Sequence, residues 1–185
     1  MPDTANVATA LSQIGSENIP DSRGTNLWRA DPNLGRLLGL YMPAGLRAHL
    51  EPHLDRLGEL AGGELDDLAG VADRNGPELR PRTRRGEDSN AIDYHPAYRS
   101  MEKIAFGDYG LAALSHRGGV LGWNAPMPPA AKYAITYLFV QAEFGLCCPV
   151  SMTDSLTRSL RKFGSPDLVA RYLPALTSQD MDALY

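Results

Sequence analysis

AAKYAITYLFVQAEFGL, residues 130–146, is the most apolar stretch of the chain, and its reading decides the fold. It is too long for an ordinary strand, and Tyr133, Ile135, Tyr137, Leu138, Phe139, Val140, Ala142 and Phe144 leave hardly any polar side. A helix that is apolar nearly all round is one enclosed by other helices. The stretch from Ala130 to Val150 has the length to cross a bilayer, but Lys132, Gln141 and Glu143 lie well inside it. Charges at that depth are costly in hydrocarbon, so a buried central helix is expected, not a membrane span. Pro149 is expected to break it.

Outward toward the amino terminus, the pattern is a series of shorter amphipathic helices. Asp31-Pro32 offers an N-cap and a first-turn proline for a helix through Leu34, Leu37, Leu38 and Tyr41. After Pro43, Leu46, Leu50, Leu54, Leu57 and Leu60 recur at steps of three or four, one face of a longer helix. Gly62-Gly63 ends or bends it, Leu65, Leu68, Ala69 and Ala72 carry the period on, and Asn75-Gly76-Pro77 stops it. Leu79 to Tyr94 is polar and charged, and reads as a hairpin or irregular excursion. Pro96 then opens a helix through Tyr98, Met101, Ile104, Ala105 and Tyr109, and a loop spans Gly118-Gly119 and Pro126 to Pro129. Residues 1–30 mix Gly, Pro, Ser, Thr and Asn with isolated apolar residues, and are expected to form an extended arm in which Leu27 and Trp28 rest on this or a neighbouring subunit.

Toward the carboxy terminus, Ser151 or Thr153 is expected to cap a helix through Leu156, Leu160 and Phe163 that Gly164 ends. Ser165-Pro166 starts another through Leu168, Val169 and Tyr172. No fixed-period repeat and no strand–helix alternation occurs, so the expected class is all-α, a bundle of about six to eight helices over 31–185 preceded by the arm at 1–30.

The composition bounds the function. A chain of 185 residues, 43% hydrophobic and 22% charged, is globular, and its formal net charge of -4 gives no global attraction for polyanions. Nucleic-acid contact would need a local patch. Lys103, Lys132 and Lys162 are the only lysines among 18 basic residues, so positive charge is mostly arginine. Cys147 and Cys148 are adjacent, give no disulfide framework, and suit a reducing, cytoplasmic setting. The polar start, with Asp3, Glu17 and Asp21, does not resemble a secretory signal.

Several short motifs then converge. Lys162-Phe163-Gly164-Ser165-Pro166-Asp167-Leu168, followed by Tyr172-Leu173-Pro174-Ala175-Leu176, resembles the end of the amino-terminal helical domain in the acyl-CoA dehydrogenase superfamily. Cys148-Pro149-Val150-Ser151-Met152-Thr153 resembles the Cys-Pro-x-Ser-Met-Thr segment of its AidB-type branch, the adaptive response to alkylation, and Asp93-Tyr94-His95-Pro96-Ala97-Tyr98 resembles that branch's aromatic-His-Pro-Ala-aromatic segment. Asn26-Leu27-Trp28 and Asp31-Pro32 resemble its arm and first helix. The resemblance covers almost the whole chain and implies a parent flavoprotein, an FAD-dependent oxidoreductase of the DNA alkylation response assembled as a homo-oligomer, a tetramer in the family. It also implies that the β domain that cradles flavin, and the later helical domain that carries the catalytic base and the nucleic-acid surface, lie outside this sequence. FAD is therefore expected in the full-length parent and not on this chain alone. Cys148, Ser151, Met152 and Thr153 are implied to line the flavin and acyl cavity from the helical side. A rival expectation is a non-catalytic helical interaction module without a cofactor.

No catalytic, cofactor-binding or metal-binding residue is assigned. His49 and His53 have the four-residue spacing of a helical metal pair, but without a third ligand they read as a solvated pair on the polar face. His95 reads as a turn residue bonded through its ring, and His116 lacks a nucleophile motif. Cys147 and Cys148 read as small apolar residues ending a buried helix. Arg80, Arg82, Arg84 and Arg85 form a local basic cluster largely offset by Glu78, Glu87 and Asp88, and read as a solvated or interface hairpin. A sticky apolar face is expected near Cys148 to Thr153 and along the carboxy-terminal helices.

Overall fold

A computed structural model describes residues 21–183 of the chain. The expected arm therefore lies largely outside the described residues. Its last part is not extended: Leu27–Ala30 forms one helical turn, α1, because Asn26 Oδ1 accepts the N–H groups of Trp28 and Arg29 at 3.1 Å each. Asp31 repeats the device for α2 (Pro32–Tyr41), taking the N–H groups of Asn33 and Leu34 at 3.0 and 3.2 Å with Pro32 in the first turn.

The leucine-striped segment is α3 (Ala44–Ala61), which buries Leu46, Leu50, Leu54 and Leu57 and runs on through Pro52. Proline there removes one ladder hydrogen bond, a loss offset by the leucines buried on either side of it. Gly62-Gly63 separates α3 from α4 (Glu64–Arg74). The polar excursion is an antiparallel hairpin, β1 (Glu78–Arg82) and β2 (Asp88–Asp93), with Leu79 opposite Ile92, every residue exposed, and Gly86 at φ +84° in its turn. α5 (Pro96–Glu102) passes into a π-helical turn at Lys103–Asp108, and together they bury Met101, Ile104, Ala105 and Phe106. The segment between Gly110 and Pro128 has little regular structure, yet Leu111, Leu114, Val120 and Met127 are buried in it.

The decisive stretch is helical, as α6 (Pro129–Ala142), with Ala131, Ala134, Ile135, Leu138 and Phe139 inside. It packs on α2, α3 and α4, while Tyr133 and Tyr137 face outward, so its enclosure is one-sided. α7 (Cys147–Phe163) and α8 (Pro166–Leu176) follow, packed on each other. Among the described residues there are eight α-helices and one two-stranded sheet, the all-α bundle with a polar hairpin that the pattern predicts.

Three boundaries differ from expectation. The break comes at Glu143, whose backbone turns extended and whose Oε1 accepts the N–H of Leu146 at 3.0 Å. Pro149 does not break the helix; it sits in the first turn of α7, where its missing N–H costs nothing. Ser151 and Thr153 accordingly lie inside α7 and cap nothing, and Cys147 and Cys148 begin a helix where they were expected to end one.

Candidate functional site

The residues singled out on α7 divide between two adjacent strips. Thr153, one turn after Pro149, lines a cavity of about 340 Å³ together with Tyr94, Tyr98, Glu102 and Phe106. The Tyr94 and Tyr98 rings stack at 4.7 Å, and the Arg99 guanidinium lies over Tyr94 at 4.5 Å while donating to Glu102 Oε2 at 2.7 Å. The aromatic-His-Pro-Ala-aromatic segment thus forms one wall: His95 Nδ1 accepts the Ala97 N–H at 3.1 Å and opens α5, placing Tyr98 one turn beyond Tyr94. Burial, then the neighbouring Glu102, raises the Tyr98 phenol above its ordinary pKa. The walls are aromatic and aliphatic, and the cavity's carboxylate is occupied by Arg99, so the arrangement suits binding an apolar group better than moving a proton.

Cys148, Ser151 and Met152 are on the outer strip and exposed. Cys148, Met152, Leu156 and Phe163 share one side of α7, with Met152 66% and Phe163 77% exposed, and Leu168 and Tyr172 of α8 are exposed as well. This is the apolar face the sequence predicts. Cys147 is half-buried, and burial, then Glu143, pushes its thiol above the ordinary range, away from thiolate chemistry.

A helix start is an anion site only where its N–H groups are free. At α7 they are used: Cys147 N–H bonds Phe144 O at 3.0 Å, Cys148 N–H bonds Gly145 O at 3.2 Å, Leu146 N–H goes to Glu143, and Pro149 has none. The donor set at this site does not fit a dinucleotide pyrophosphate.

Behind α7 lies a cluster that the sequence reading missed. Asp154 accepts from Lys132 Nζ at 2.6 Å, His116 Nε2 at 2.7 Å and Arg158 Nε at 3.2 Å, and Asp154, Lys132 and His116 are all buried. It joins α6, α7 and the irregular segment after Gly110. Lys132 in an apolar stretch is the visible signal, because a buried cation requires a counter-charge; nothing in sequence order marks Asp154 as that counter-charge or His116 as its neighbour.

The other candidates have structural roles. His49 and His53 are half-buried, not solvated: His49 Nε2 donates to Leu121 O at 2.8 Å and its ring meets Trp123 at 5.2 Å, so His49 seats the loop at Val120–Gly122 while the His53 ring lies 5.5 Å from that of His49. Burial, then His49, lowers the His53 pKa. Among the described residues no group of three His, Cys, Asp or Glu is placed to hold a metal. Arg80 is held by Glu78 at 2.6 Å and Asp93 at 2.8 Å, and Arg82 by Asp88 at 3.7 Å, whereas Arg84 and Arg85 occupy the exposed turn. An apolar groove of about 600 Å³ between α2 and α6, lined by Leu37, Tyr41, Tyr133 and Tyr137, had no counterpart in the sequence reading. No helix among the described residues is long and apolar enough to cross a membrane.

A helical bundle with this element order is the fold of acyl-CoA dehydrogenase-like proteins. The solved structure of Bd2924 in its apo form is similar over 85% of this chain and 30% of its own, with TM-score 0.76 and 28% identity. Caenorhabditis elegans ACDH-11, solved in complex with C11-CoA, shares the fold over 88% of this chain and 28% of its own, with TM-score 0.72 and 19% identity. The family model of the adaptive response protein AidB N-terminal domain matches residues 18–183, and the chain belongs to that family. It spans less than a third of the length of these solved structures. No curated protein matches.

Proposed function

We propose that this chain is the amino-terminal helical domain, residues 31–185 with its arm, of an FAD-dependent oxidoreductase-like protein of the DNA alkylation response, and that it walls the flavin and substrate cavity without holding the flavin itself. The observation that carries this reading is α7: one strip contributes Thr153 to an aromatic cavity, and the neighbouring strip presents an unpartnered apolar face through Cys148, Met152 and Leu156. An apolar face of that kind is stable when covered, and the flavin-bearing β domain with the later helical domain is the cover this reading assigns. Cys148, Ser151 and Met152 then meet the cavity from the outer strip and Thr153 from the inner one. Homo-oligomerisation, flavin chemistry and nucleic-acid contact belong to the assembled parent.

FAD supplies hydride acceptance when bound in such a parent; the part of this chain is to exclude water and position an apolar substrate segment. Equilibrating the 185-residue protein with FAD, followed by gel filtration, is expected to leave the protein fraction colourless. Co-elution of stoichiometric yellow flavin would overturn the division of labour.

A further inference from the structure

Between α2 and α3, with Trp28 of α1 at one end, lies a cleft of about 350 Å³. Gly35 and Gly39, one turn apart on α2, form its floor. A β-carbon on Gly35 would meet the outer edge of the Trp28 indole at 3.8 Å, and one on Gly39 would meet Arg47 Nη1 at 3.5 Å, so the floor is bare where the indole and the guanidinium approach it. Arg36 of α2 and Arg47 of α3 both line the cleft, and neither makes an ion pair or hydrogen bond among the described residues. The nearby Arg29 is different: Asp55 takes it at 2.6 and 2.7 Å. That carboxylate is also bonded by Asn26 and is not left over for the cleft. Glu51, the cleft's one carboxylate, pairs with neither arginine. Two guanidiniums whose forked donors are uncommitted among the described residues, against one carboxylate and beside Trp28 and Leu54, give the recess a net positive lining, and a guanidinium fork suits a planar or tetrahedral oxyanion.

We propose that this cleft binds a small organic oxyanion, a carboxylate or phosphate monoester bearing a flat apolar group, with Arg36 and Arg47 holding the anion and the Trp28 indole covering the apolar part. The site is independent of the α7 cavity and of the flavin reading.

The test follows the indole N–H signal of Trp28 in ¹⁵N-labelled 185-residue protein, with Trp123, packed on His49, as internal reference. Phenyl phosphate, benzoate and uncharged benzyl alcohol are titrated separately. The expected result is a saturable shift of Trp28 alone with phenyl phosphate or benzoate, whichever saturates at lower concentration naming the anion class. Arg36→Gln/Arg47→Gln should weaken it about tenfold or more, the scale of one lost charge-assisted hydrogen bond. Gly39→Leu should block it by filling the floor, and Arg47→Lys should retain part of it. Circular dichroism establishes that each variant is folded, and Arg36→Gln alone serves if the double variant is not. Absence of saturation with either anion, an unchanged response in the arginine variant, or equal binding of benzyl alcohol would each overturn the proposal.

Discussion

Asp154 is a carboxylate only 6% exposed, in contact with three basic side chains, and its energetics follow from that isolation. Removing one member of a buried ionic set strands the others, at a cost of about 3–5 kcal/mol. Asp154→Ala is therefore expected to lower stability by that amount in equilibrium urea unfolding, and a loss below about 1 kcal/mol would contradict the cluster's role. Asp154→Leu with Lys132→Met should recover much of the loss, because it removes the charges together. The same cluster sets the acid response. Burial, the larger effect, depresses the His116 pKa, and the hydrogen bond to Asp154 opposes it only in part. A folded pKa below the unfolded one contributes stability that is fully present above the unfolded value and is lost as pH falls through the folded one. For Asp154 burial pushes upward, but hydrogen bonds from Lys132 and Arg158 prevail and hold the carboxyl below its usual range, so its share is lost at still lower pH. Unfolding free energy is thus expected to decline on acidification from about pH 6.5, and His116→Gln, which keeps an N–H for Asp154, should remove the first part of that decline.

Among the elements, α3 is the one against which others are placed, and Gly58 is where α1 sits on it. A β-carbon there would lie 2.5 Å from the Trp28 backbone nitrogen and 2.6 Å from its Cβ. Gly58→Ala is expected to cost about 1–3 kcal/mol by overpacking and to shift Trp28 fluorescence toward solvent, while overall helix content holds. Gly45→Ala, in open space on the same helix, should instead raise thermal stability slightly, by up to about 1 kcal/mol. The helices were legible in sequence because their information is local: the leucine period of α3, the Asp31-Pro32 and Ser165-Pro166 starts, and the Asn75-Gly76-Pro77 stop all act within a few residues. Pro149 was misread because proline has two opposite meanings, a breaker in a helix interior and a favoured residue in a first turn, and the competing device, the Glu143 side chain bonding Leu146, depends on a rotamer. Within the buried segment after Gly110, sequence marks only the loop at Gly118-Gly119 and Pro126 to Pro129, because the apolar residues around it follow no period. The segment is fixed by distant partners: Arg117 donates to Thr177 O at 2.7 Å and to Gln179 Oε1 at 2.8 Å, and Gln179 donates to Gly107 O at 2.5 Å. Tyr94 and Tyr98, which line a cavity with Thr153, come from a distant part of the sequence that spacing alone does not pair with α7.

For the whole molecule, the proposed function makes the outer strip of α7 a docking face for further domains, and the chain spans under a third of the solved structures that share its fold. Leu46, Leu50, Leu54 and Leu57 on α3 face the internal core, so that helix is satisfied within this domain. α7 is not, because Met152, Leu156 and Phe163 stay more than half exposed among the described residues. Amide hydrogen exchange across Cys147–Phe163 is compared between the 185-residue protein and a polypeptide that also carries the proposed β and later helical domains, with Ala44–Ala61 as the internal standard. Markedly slower exchange of Cys147–Phe163 is expected in the longer polypeptide, with Ala44–Ala61 unchanged; equal exchange of Cys147–Phe163 in the two would rule out the docking face.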